Sequence, residues 1–167
     1  SNLSTSMISE KISNSFNTPY IRTPVGEINV VKEMKLKKSL IGGEGNGGII
    51  LKESHLGRDA LVGAAIILSL LSNESSTINE IFNTFPKFYI EKSSVALGTD
   101  NEKILNKLKN NFTNETIIET DGLKIVRENE WIHIRKSNTE PILRIISESK
   151  SRSRSKELIK LIKNDIS

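Results

Sequence analysis

Trp131-Ile132-His133-Ile134-Arg135-Lys136-Ser137-Asn138-Thr139-Glu140-Pro141-Ile142-Leu143-Arg144-Ile145-Ile146 is the stretch on which the reading of this chain turns. Its two ends alternate or run apolar at strand length, so they read as strands joined by the polar residues between them. Pro141 lacks an N–H and restarts extended backbone, which ends the turn sharply. That turn gathers the guanidinium of Arg135, the ammonium of Lys136, the hydroxyls of Ser137 and Thr139 and the carboxamide of Asn138. An arginine fork matches phosphate oxygens in pairs, and hydroxyl, amide and turn N–H groups complete the shell of a tetrahedral anion. A carboxylate repels such an anion, so Glu140 is expected to turn away, toward Arg144 or Lys136. Composition alone favours the plainer reading, a solvated hairpin loop.

Around this stretch the second half of the chain reads as a small α+β domain. Lys87 to Leu97 alternates weakly as a strand, and Thr99-x-x-Glu102 is a capping box that opens a helix with Ile104, Leu105, Leu108 and Phe112 inward. Strands are expected at Thr116–Glu119, at Gly122–Arg127 (entered through an Asp121-Gly122 turn) and at Glu130–Arg135. A further strand follows the Arg135 loop, and a final amphipathic helix spans Lys156–Ile166. Between them, Ser147 to Ser155 carries Lys150, Arg152 and Arg154. Serine–arginine alternation binds RNA only as a disordered electrostatic arm, and this one has no aromatics for base stacking, so it reads as a solvated connector. Trp131 reads as packing.

The first half reads differently. Ser4 or Ser6 caps a helix with Ile8, Ile12 and Phe16 inward, and Tyr20-Ile21 reads as a short buried strand. A helix from Glu27 to Met34 turns Ile28, Val31 and Met34 inward and ends in an exposed lysine cluster. Short apolar strands at Leu40-Ile41 and Ile49-Ile50-Leu51 flank Gly42-Gly43-Glu44-Gly45-Asn46-Gly47-Gly48. Five glycines in seven residues carry a heavy entropic cost that a simple connector does not need. Such a loop lets backbone approach a ligand, with Glu44 and Asn46 as its only reading side chains. No Gly-Lys-Ser/Thr follows and no helix opens, so it is neither a Walker loop nor a dinucleotide fingerprint. An ionised Glu44 accepts hydrogen bonds, which points to hydroxyls or an amine. Asp59 caps a helix of about Ala60–Leu71, apolar almost all round and therefore expected to be central and buried. His55, with no second ligand at helical spacing, reads as a loop residue and not a metal ligand. Thr77-x-x-Glu80 opens a short helix that Pro86 stops, and the domain junction is placed there: 1–86 and 87–167.

Global properties bound these readings. A chain of 167 residues with 36% hydrophobic and 26% charged residues is ordinary for one or two globular domains. It has no cysteine, hence no disulfide framework, thiolate nucleophile or thiolate metal site. No run approaches membrane-spanning length and no signal-peptide pattern opens the chain, so a soluble cytoplasmic protein without a membrane partner is expected. A net charge of +4 suits anionic ligands as well as nucleic acid.

Arg135 to Arg144 resembles the phosphate-binding loop of the α-D-phosphohexomutase superfamily, an Arg-x-Ser-Gly/Asn-Thr-Glu-Pro run. The loop from Gly42 to Gly48 is similar to that family's sugar-binding loop, Gly-Glu-x-Ser-Gly-His. Thr23-Pro24-Val25-Gly26, the Asp59 helix start and Asp121-Gly122 fall in the family's order. The resemblance runs the full length and is nearest the archaeal-type phosphoglucosamine mutases and phosphomannomutase/phosphoglucomutases. It implies an α/β sugar-binding domain of the family's third-domain type at 1–86, clipped at its start. An α+β phosphate-binding domain like the TATA-box-binding protein would then occupy 87–167, with an antiparallel sheet and helices on one face. It also implies that Arg135, Ser137, Asn138 and Thr139 grip the non-reacting phosphate of a hexose phosphate, and that Glu44 and Asn46 meet sugar hydroxyls. Asn46 stands where many members have Ser and Gly48 where many have His, which leaves sugar preference open. The family's phosphoserine (Ser-His-Asn) and magnesium (Asp-x-Asp-x-Asp-Arg) patterns do not occur in this sequence. The resemblance therefore implies that this chain carries no catalytic and no metal residues. Mg2+ and the hexose 1,6-bisphosphate activator belong to the full-length family, whose first domains would be this chain's partner. A stand-alone phosphosugar-binding protein is the alternative, and RNA binding through the Ser/Arg segment ranks last.

Overall fold

The computed structural model describes residues 1–96 and 101–166, which form two compact units, Ser1–Pro86 and Lys87–Ser167.

In the first unit, α1 (Met7–Ser15) starts where Ser6 Oγ accepts the Ile8 N–H, and α2 (Glu27–Lys37) ends at Lys38 in the left-handed region. β1 (Ile41–Gly43) and β2 (Ile49–Leu51) form an antiparallel hairpin, followed by α3 (Ala60–Asn73) and α4 (Ile78–Thr84). One buried cluster comprises Val30, Met34 and Ile50, with Val31 and Leu56 against them, and Leu3 and Met7 are buried as well. The buried seam of α2 follows the i, i+4 pair Val30 and Met34, so Ile28 points outward, and Phe16 of α1's expected stripe is exposed as well. Tyr20-Ile21 forms no strand. Thr23 instead makes a single parallel bridge to Asn2, with the Leu3 N–H donating to the Thr23 carbonyl and the Thr23 N–H to that of Ser1, both at 2.8 Å.

The largest departure is α3. Its ends behave as expected, with Asp59 Oδ1 accepting the N–H groups of Leu61 (2.8 Å) and Val62 (3.1 Å). None of its residues is buried, however, and Leu61 is 81% exposed and Leu68 65% exposed. Apolarity on every side states a demand for cover. A hairpin of two three-residue strands, of which α3 meets β2, does not supply it. Asp59→Ala is expected to raise amide exchange at Leu61 and Val62 roughly fivefold, read by hydrogen–deuterium exchange, with α4 as the internal control. No single helix among the described residues is long and apolar enough to cross a membrane. α3 and α4 reach such a length only as a pair bent by 93°.

The second unit is a five-stranded antiparallel sheet in the order β3-β7-β6-β5-β4. Its strands are β3 (Tyr89–Ala96), β4 (Thr116–Ile118), β5 (Leu123–Val126), β6 (Trp131–Lys136) and β7 (Ile142–Ser149). Two helices, α5 (Asn101–Asn111) and α6 (Arg152–Ile166), bury one face of the sheet. Leu123, Ile125, Ile132, Ile134, Leu143 and Ile145 alternate onto that face against Leu108, Phe112, Leu158, Ile159 and Ile162. Lys124, Trp131, His133 and Glu148 alternate onto the other and are also buried. Trp131 packs as expected, its Nε1 donating to Glu148 Oε2 at 2.6 Å and its ring lying 4.2 Å from Lys124 Nζ. The Thr99-x-x-Glu102 capping box lies outside the described residues.

The Ser147–Ser155 segment is a solvated connector only in its middle, where residues 150–154 are exposed. Its first residues finish β7, its last open α6, and Ser147, Ser149 and Ser155 are buried. Ser147 Oγ donates to the Ser155 carbonyl, Ser155 Oγ to that of Tyr89, and the Ser149 and Ser155 hydroxyls lie 2.8 Å apart. Arg154 pairs with Glu130 and Glu157, and Arg152 lies 3.5 Å from Glu91. Ser151 and Ser153 are exposed, and an ordered helix start whose arginines are ion-paired differs from the disordered arm that electrostatic RNA binding requires.

Candidate functional site: two candidate loops

The phosphate-type loop is the β6–β7 turn. Lys136 pairs with Leu143, and the Ser137 N–H closes the turn on the Ile142 carbonyl at 2.9 Å, which leaves the residues from Asn138 to Pro141 outside the ladder. The Ser137 and Thr139 hydroxyls lie 3.5 Å apart, with the Thr139 N–H 3.4 Å from Ser137 Oγ. Asn138 and Thr139 are exposed, Ser137 is half-buried, and Glu140 turns onto Arg144 as its charge requires. The turn thus brings Arg135, Ser137, Asn138 and Thr139 together.

Arg135 is not the free fork that composition suggests. It is 6% exposed, its Nε donates to Asp121 Oδ2 at 3.0 Å, and its Nη2 lies 3.4 Å from Asn138 Oδ1. The β5–β6 register accounts for this: Leu123 pairs with Ile134, so the turn just before β5 lies beside Arg135. Gly122 makes the approach possible. It holds φ at +76°, and a Cβ there would run into the Ile134 carbonyl oxygen and come within 2.9 Å of Arg135 Cα. His133, fully buried, places Nε2 2.6 Å from the Asp121 carbonyl oxygen. Burial, helped by the nearby positive charges of Lys124 and Arg135, pushes its imidazolium pKa down to about 4, so the ring is neutral and donates from Nε2.

The glycine-rich loop is the tip of the β1–β2 hairpin, closed by the Glu44 N–H on the Gly48 carbonyl and turned at Gly47, whose φ is +95°. Glu44 is 9% exposed. Its Oε1 accepts from Asn2 Nδ2 at 2.9 Å and from the Gly26 N–H at 3.2 Å, and Arg58 Nη1 lies 3.3 Å from Oε2. Arg58 also binds Glu27 through its backbone N–H and its Nε, the chief reason the Glu27 carboxyl sits below the usual carboxylate range. Asn46 is exposed and folds its Oδ1 back onto the Gly48 N–H at 3.1 Å.

Asn2, Arg58 and Asp121 were not named as site residues from sequence, although they orient those that were. Asp121 had a signal, since counting back from an Asp-Gly turn sets it beside the far end of the next strand. His55 meets Asp59 at 3.0 Å. Among the described residues no group of three or more His, Asp or Glu side chains gathers where a metal ion could be held.

Comparison with known proteins adds the family. Residues 1–89 match the model described as phosphoglucomutase/phosphomannomutase, alpha/beta/alpha domain III, and residues 91–164 match that of the C-terminal domain. A phosphoglucomutase/phosphomannomutase from Thermococcus kodakarensis is 32% identical over 164 residues, covering 95% of this chain and 35% of the relative. A phosphoglucosamine/phosphogalactosamine mutase from Sulfurisphaera tokodaii is 32% identical over 165 residues, covering 96% and 36%. The chain therefore spans about a third of the length of these relatives. A solved phosphoglucomutase/phosphomannomutase family protein from Burkholderia thailandensis superposes with a TM-score of 0.77 at 19% identity, over 93% of this chain and 34% of that one, a likeness of fold. With both units matched in order by models of one family, this chain belongs to the phosphoglucomutase/phosphomannomutase family.

Proposed function

We propose that this chain is the substrate-holding C-terminal part of a phosphohexose mutase. In this reading residues 87–167 bind the phosphate that does not react, and residues 1–86 bind sugar hydroxyls. The observation that carries it is the β6–β7 turn, which sets a buried arginine, two hydroxyls and a carboxamide around one point of the chain, inside the region matched by the family's C-terminal domain. Arg135 supplies the charge for a phosphate dianion, and Ser137, Asn138 and Thr139 supply neutral donors. Glu44 keeps acceptor capacity on Oε2 for a hydroxyl, because a carboxylate offers about four lone-pair sites and three donors occupy it. Asn46 reaches a ligand by releasing the Gly48 N–H. The relatives' names point to glucosamine, galactosamine, glucose and mannose phosphates as the substrate class.

The phosphoserine and magnesium patterns that the family resemblance assigns to phosphoryl transfer do not occur in the sequence of this chain. Its own contribution is alignment, in which phosphate binding remote from the reacting end is spent on orientation. The 167-residue chain is expected to bind glucosamine 6-phosphate and glucose 1-phosphate with Kd on the order of 1 mM and to show no mutase turnover. Arg135→Ala should weaken binding about tenfold or more, measured by titration calorimetry. Equal binding by the variant, or none by the parent chain, defeats the reading.

A further inference from the structure

Arg135 reaches its loop with only part of its guanidinium available. Asp121 takes the Nε edge and Asn138 one Nη2 hydrogen, which leaves Nη1 as the group to meet a ligand. The pair is sheltered, with the Arg135 side chain 7% and that of Asp121 18% exposed. On charge alone this arrangement opposes anion binding, since a carboxylate 3.0 Å from the guanidinium cancels much of the field a phosphate would feel. What the carboxylate provides is direction. An unheld arginine spreads over many rotamers, and ordering it on binding costs affinity that a pre-set side chain retains. Asp121 is itself immobilised. Its carbonyl meets His133 Nε2, and Gly122 next to it packs against the Ile134 carbonyl and the Arg135 backbone.

We infer that Asp121 is a positioning residue of the phosphate loop, holding Arg135 by Nε so that its Nη edge faces the ligand. The inference rests on the phosphosugar reading of that loop and adds a residue which the loop motif does not contain.

The test uses the 167-residue chain, titrated with inorganic phosphate and with glucosamine 6-phosphate. The Arg135 Nε–Hε resonance, assigned by its loss in Arg135→Ala, serves as a second readout. Asp121→Ala is expected to weaken both ligands about tenfold and to merge that resonance with those of free arginines. Asp121→Asn keeps an acceptor for Nε and removes the opposing charge, so it should retain the dispersed resonance and bind at least as tightly as the parent. A purely structural role would lower the unfolding midpoint and move neither readout. Parent-like binding by Asp121→Ala overturns the inference alone, whereas a parent chain that binds neither ligand removes the phosphosugar reading with it. Should Asp121→Ala fail to fold, Asp121→Asn decides: tenfold weaker binding, or a collapsed resonance, overturns the inference.

Discussion

Gly122→Ala is expected to destabilise the second unit by about 3 kcal/mol. A left-handed φ of +76° costs an alanine roughly 1–2 kcal/mol before any contact is counted. The added Cβ also meets the Ile134 carbonyl oxygen and the Arg135 backbone, so the turn and the end of β6 must separate. Backbone cannot swing aside as a side-chain tip does. Trp131, the only tryptophan, lies in β6 and reports this unit selectively in urea titrations followed by fluorescence. The displaced strand end carries Arg135, so phosphosugar affinity should fall with stability. A loss below about 1 kcal/mol would mean that the Asp121-Gly122 turn relaxes freely, and that Arg135 is not held from below.

The second large effect is an acid sensitivity centred on His133. Its folded pKa is lowered from 6.5 to about 4. Above pH 6.5 folded and unfolded chains both carry it neutral. As pH falls toward 4 the unfolded chain takes up a proton that the fold refuses, so stability is lost across that window. The loss approaches about 3 kcal/mol. Depressed carboxyls such as Glu130, held down first by its hydrogen bond from Arg154, add losses only below the ordinary glutamate value of 4.5. Urea midpoints of the parent and of His133→Gln between pH 7 and pH 4.5 separate the two. The variant starts less stable because it loses the bond to the Asp121 carbonyl, but its slope against pH should be flatter. Parallel slopes would show that His133 is protonated without cost.

The second unit was nearly all legible in sequence. Alternation in β5 and β6, the Asp121-Gly122 turn and the stripe of Leu108 and Phe112 each report a local period that the packing obeys. The first unit was less so. Hydropathy registers what α3 needs and is blind to whether neighbours supply it, which is why an apolar helix expected to be central is exposed. Tyr20-Ile21 has strand-like composition, yet in this segment the bridge forms at Thr23, and the Ile21 carbonyl accepts from the Ser1 amino group. Arg135 and Glu44 stand out in the sequence as candidates by type and spacing, whereas the residues that hold them do not. Asn2 and Gly26 lie 42 and 18 residues from Glu44, a separation no periodicity encodes. At the β7–α6 junction Ser151 and Ser153 face solvent as serine composition suggests, whereas the hydroxyls of Ser147, Ser149 and Ser155 are satisfied by another hydroxyl or a carbonyl indoors.

That junction bears on covalent regulation. Within the serine–arginine run Ser151 and Ser153 are exposed, whereas Ser147, Ser149 and Ser155 are buried, so a kinase would meet the latter three hydroxyls only on a nascent or unfolded chain. A doubly charged ester at any of them has no room to be hydrated there. A mark at Ser147, Ser149 or Ser155 would act as a veto on folding of the last strand and helix and not as a reversible signal on the folded unit, a limit that does not extend to Ser151 and Ser153.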